Sequence, residues 1–203
     1  MSKTPQELRA FSEHLLYELQ MLFRLADRLR AHSEGHEQLP WEVEMACIES
    51  FAIHARALEG FIWADRKGGR YPDDALAADY FLIGAWATLR QRVQRSALDG
   101  MAARTGHEVA HLSYKRSAKS EAERNWPFDV IAGVIGRAFR LFLEFVPADH
   151  VVDDFESRLR STWPEYLNYR VAMSFPPDQN PKSVATTMFR GPGQPARFED
   201  LLN

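Results

Sequence analysis

Leu8, Phe11, Leu15, Leu19, Leu22, Ala26 and Leu29 recur at steps of three and four residues. That period describes one face of an α-helix and nothing else in the protein repertoire. Thr4-Pro5-Gln6-Glu7 sets its start: an N-cap threonine, a proline at the first helical position and a glutamate three residues after the cap. Gly35 and Pro40 stop it after about seven turns. A stripe of that length is stable only when other elements cover it, so the spacing predicts an all-α bundle.

The following segments supply the partners. A second helix is expected from Pro40-Trp41 to Trp63, with Met45, Ile48, Ala52, Ala55, Leu58 and Ile62 inward. Lys67-Gly68-Gly69-Arg70 with Pro72 reads as a loop. Asp74 to about Leu98 is helical in pattern, interrupted at Gly84, and residues 107–116 read as a short helix. Phe128, Ile131, Ile135, Ala138, Phe142 and Phe145 mark a fifth helix. Val134, Phe139 and Leu141 widen its apolar face, and Gly133 and Gly136 suit close packing. The expected fold is therefore a bundle of about five helices over residues 1–146.

Residues 147–203 read as an appendage. Seven of the eleven prolines lie there. A short helix is expected at about residues 149–160. Beyond it Tyr169, Val171, Met173 and Phe175 alternate, and Val184 to Arg190 is rich in Thr, Val and Phe. These runs flank Pro176-Pro177-Asp178-Gln179-Asn180-Pro181, which predicts a small β-hairpin or arm.

Composition narrows the function classes. A chain of 203 residues with 45% hydrophobic content has the make-up of a folded globular protein. Cys47 is its one cysteine, which excludes an intramolecular disulfide and a multi-cysteine zinc site. No apolar run approaches the roughly 20 residues that cross a bilayer. The first thirty residues mix charge with apolar residues, unlike a secretory or transit signal, so a cytoplasmic location is expected. The formal net charge of −3 excludes a uniformly basic coat. Charge is uneven, however: residues 90–124 hold eight basic and four acidic side chains. Such a segment fits either a phosphate-binding face or an ordinary solvated surface.

Two motifs overlap inside it. His107-Glu108-x-x-His111 has the spacing at which two helical histidines bind zinc and a glutamate activates its water. No third ligand stands at a recognised offset, since Tyr114 and Ser117 occupy the metzincin positions, leaving Glu121, Glu123 and Glu144. The zinc hydrolase is thus an alternative, with no cofactor as the first expectation. The second motif is Arg104 followed after six residues by His111. Similar spacings occur at Arg9–His14 and Arg30–His36, so the setting singles this one out. Thr105-Gly106-His107-Glu108 fits a capping box, which would start a helix at Thr105 with Arg104 just outside its positive end. His54, with Arg56 and Glu59 on the second helix, is a candidate to line the same cleft, though partly buried packing with a salt bridge is the reading favoured. The five tryptophans read as core or rim anchors, and Cys47 as an inert apolar residue.

With these residues in view, the chain resembles the HEPN helical domains, which carry an Arg, four to six residues and a His near the start of a late helix. Arg104–His111, the run Glu108 to Arg116, the polar loop before Trp126 and the stretch Glu49 to Phe61 carry the likeness, over roughly residues 5–146. The residue after the arginine is Thr105, where active members often have Asn, Asp or His. The resemblance implies a homodimer and metal-independent RNA cleavage, commonly in toxin–antitoxin or phage-defence systems with a neutralising partner protein. It implies His111 as acid/base, Arg104 as phosphate clamp, and Tyr114, Lys115 and Arg116 as RNA contacts. A non-catalytic binding or regulatory bundle of the same fold is the alternative.

Overall fold

The computed structural model describes residues 3–65, 73–110 and 126–162. Six α-helices lie among them: α1 (Pro5–Ser33), α2 (Trp41–Trp63), α3 (Ala85–Leu89), α4 (Met101–Thr105), α5 (Phe128–Phe145) and α6 (Phe155–Thr162). No strand occurs among the described residues. The expected β-hairpin or arm lies outside them.

The start of α1 is the capping box that its sequence specifies. Glu7 N–H donates to Thr4 Oγ1 at 3.2 Å, and Thr4 N–H donates to a Glu7 carboxylate oxygen at 2.8 Å. Gly35, in the left-handed region at φ +78°, turns the chain at the other end. The buried stripe is broader than the apolar spacing alone, adding Ser12, Leu16 and Phe23. Phe11 lies at its edge and is 38% exposed. Ser12 is tolerated in the core because both of its roles are filled. Its hydroxyl donates to the Arg9 carbonyl at 2.7 Å and accepts from Val152 N–H at 3.0 Å.

Helices α1, α2 and α5 pack against one another and enclose the main core. α5 is buried on most of its circumference, Gly133 and Gly136 included, as its nearly all-round apolar sequence requires. An aromatic cluster fills the end where α2 finishes: Phe61 stacks on Phe139 at 5.8 Å, and Phe142 is edge-on to Tyr80, Phe81 and Trp86.

Between Asp74 and Leu98 the pattern predicts more helix than forms. A 3₁₀ turn at Ala77–Tyr80 and the five-residue α3 are separated by Gly84, which sits at φ +81° and cannot continue a helix. This stretch instead closes the C-terminus of α2. Trp86 Nε1–H donates to the Ile62 carbonyl at 2.7 Å and Arg90 donates to the Trp63 carbonyl at 2.8 Å, two groups a helix end leaves unpaired.

Helix α6 lies along the first half of α1. Phe155 and Leu159 enter the same core, while Arg9 pairs with Asp153 and Arg158 with Glu13. Residues 147–162 therefore share one hydrophobic core with the helices before them.

Candidate functional site

Gly100, at φ +77°, begins the element that carries the motif. Only glycine adopts that conformation without strain, so the helix starts there, five residues earlier than the Thr105 cap expected from the sequence. α4 runs from Met101 to Thr105, and a π-helical turn, Gly106–Ala110, continues it.

The capping expectation is thereby corrected. Thr105 is not an N-cap: it is buried, and its Oγ1–H donates to the Met101 carbonyl one turn back at 3.0 Å. Arg104 accordingly stands in the last turn of α4 and not ahead of a positive helix end. The physical reason is that Gly100 satisfies the turn geometry first, which leaves Thr105 inside an already formed helix.

Arg104 is held on two sides. Its Nε–H donates to both carboxylate oxygens of Glu108 at 2.9 Å, four residues along the same turn. Its guanidinium carbon stands 4.2 Å from the centroid of the Trp126 ring, a cation–π contact. Trp126 is itself buried at the entry to α5. The side chains of Arg104 and Glu108 are 20% and 10% exposed, so the pair is screened far less than a surface ion pair. Sequence reasoning did not anticipate this pairing, although the spacing of the two charges was its signal.

Glu108 bears on the zinc alternative. In an H-E-x-x-H centre that glutamate must hold the attacking water, whereas here both of its oxygens accept from Arg104. His107 is exposed. His111, Tyr114, Lys115 and Arg116 lie outside the described residues, as do Glu121 and Glu123.

The elements around this turn add charge. Arg56 of α2 approaches it, with Nη1 4.0 Å from where a Cβ on Gly106 would lie. Glu59, one turn along α2, is 13% exposed and faces Arg95 Nη2 at 4.0 Å. Arg95 Nε lies 4.0 Å from Asp99. Burial raises the Glu59 carboxyl above its ordinary pKa, with Arg95 and Arg56 acting in the opposite direction.

His54 does not join this group. Its Nδ1 lies 2.7 Å from the Glu18 carboxylate on α1, and its ring meets Tyr17 edge-on. That is the packing-and-salt-bridge arrangement, on another face of α2 from Arg56 and Glu59. Cys47 is buried, and burial pushes its thiol pKa up, away from the reactive range. Of the tryptophans, Trp63, Trp86 and Trp126 are core residues, Trp41 is 69% exposed, and Trp163 lies outside the described residues. No protein-family model, curated protein or solved structure matches this chain.

Proposed function

We propose that this chain is an RNA-directed helical bundle of the HEPN kind, acting as a homodimer that cleaves RNA without a metal. The observation that supports it is the fixed guanidinium of Arg104, oriented by Glu108 and Trp126 on a turn approached by Arg56. A guanidinium locked by its neighbours can meet charge building on phosphoryl oxygens without first reorganising. In this reading His111 takes the proton of a ribose 2′-hydroxyl, or returns one to the leaving oxygen. Tyr114, Lys115 and Arg116 hold the flanking strand.

The same ion pair favours a second reading. An arginine already neutralised by a largely buried carboxylate suits a structural role, and the chain would then be a non-catalytic binding bundle. The two readings part on one experiment: cleavage of a mixed RNA pool in excess chelator by wild type, His111→Ala and Arg104→Ala. Chelator-resistant cleavage reduced about 100-fold or more in each variant is the expected result. Absence of cleavage by wild type, with RNA binding retained, selects the binding bundle. Cleavage abolished by chelator and restored by zinc selects the hydrolase of His107, Glu108 and His111.

A further inference from the structure

Helix α2 buries Cys47, Phe51, Ala55, Leu58 and Ile62 on one side. Ala46, Glu49, Ile53, Arg56 and Gly60 recur at steps of three and four on the opposite side, so they form one row along the helix. The first four are exposed and Gly60 is partly so. Ile53, in the middle of the row, is 54% exposed. The two charges are of opposite sign and stand two turns apart, about 10 Å along the axis, which is beyond the i,i+4 reach of a pair on one helix. All of these residues share a midpoint. Glu49 and Arg56 are centred between residues 52 and 53, Ala46 and Gly60 on residue 53, and Ile53 occupies that place itself.

We propose that a second copy of the chain docks on this face, α2 against α2 in antiparallel register about a two-fold axis at Ile53. The inference rests on the homodimer of the reading above and names the surface that makes it. A two-fold contact has to be self-complementary, and this row is. In antiparallel register Ile53 meets the partner's Ile53. Glu49 comes within one residue of the level of the partner's Arg56, and symmetry repeats that ion pair on the other side of the axis. Ala46 faces the partner's Gly60, where no large side chain holds the helices apart. A parallel pairing would instead set Glu49 against Glu49 and Arg56 against Arg56, so charge selects the orientation. Tyr17 of α1, edge-on to His54 and itself exposed, widens the apolar surface along one border. Arg56 lies toward the other border and approaches Gly106. A two-fold axis perpendicular to the plane of the paired helices leaves both motif turns on the same side of the seam.

The test is sedimentation of the full chain from about 1 to 100 µM, a range that brackets micromolar dissociation constants. Wild type is expected to sediment as a dimer at the upper end. Glu49→Arg and Arg56→Glu each set like charges opposite one another at two places, and each is expected to weaken the dimer about tenfold or more. Combined in one chain they restore opposite charges, and the double variant is expected to recover to within about threefold of wild type. That recovery also separates lost docking from lost folding. Arg160→Glu, an exposed reversal of the same size on α6, is expected to leave self-association unchanged. A wild-type dimer that neither single reversal weakens overturns this surface and leaves the homodimer standing. Weakening in both single variants without recovery in the double variant overturns it too, as does an equal loss in Arg160→Glu. A wild type that stays monomeric throughout the range overturns the homodimer itself, and this surface with it.

Discussion

A carboxylate in the wrong surroundings is informative about both stability and site. Glu59 has its pKa raised by burial, and its 4.0 Å ion pair with Arg95 and the nearby charge of Arg56 do not offset that cost. The folded protein therefore binds its proton more tightly than the unfolded chain. Stability falls as pH rises from the ordinary value of 4.5 through the raised one, and the penalty persists at neutral pH. Glu59→Gln is expected to melt at a higher temperature than wild type at pH 7, with the two converging near about pH 4, where both carry a neutral side chain. Equal melting temperatures at both pH values would mean that the arginines fully compensate the burial. The Glu59 environment was not visible in the sequence. Its neighbours Arg95 and Asp99 come from a segment nearly forty residues away, and periodicity says nothing about which charges meet across elements.

At the scale of the element, the π-helical turn at Gly106–Ala110 is where local sequence and tertiary structure disagree most. Gly106 has helical φ and ψ of −58° and −45°, so its special freedom is not being used. Among the described residues, a Cβ there would meet nothing closer than Arg56 Nη1 at 4.0 Å, an ordinary contact. Gly106→Ala is accordingly expected to stabilise the protein by about 0.4–1 kcal/mol, measured by urea unfolding. Destabilisation would show that the turn needs a backbone geometry alanine resists. The helices themselves were readable where a long apolar stripe follows a clear start: the Thr4 cap for α1, and a proline for α2 and α5. The break at Gly84 was legible too, and the misreading was at Gly100, where the motif helix starts. Gly84 and Gly100 both take positive φ, and that choice follows from how the neighbouring chain packs on α2.

At the scale of the whole molecule, the division at residue 146 that proline content suggests does not coincide with a break in the core. Phe155 is 1% exposed and packs with residues from α1 onward. Phe155→Ala is expected to cost about 3–5 kcal/mol while unfolding stays a single transition followed by tryptophan fluorescence. A cost below about 1 kcal/mol, or a separate early transition, would make residues 147–162 a detachable piece.

Within the described residues, the amino-acid order alone determined that the chain is helical, where the long helices begin and end, and which of their faces turn inward. The reason is that capping and apolar period are local, acting within one or two turns. Which polar groups meet across elements was decided only by the tertiary structure. Trp126 was brought onto Arg104, and Arg56 beside Gly106. Those contacts depend on how whole helices pack, which follows from the summed burial of the core, whereas Arg104–Glu108 and Thr105–Met101 lie within one helical turn.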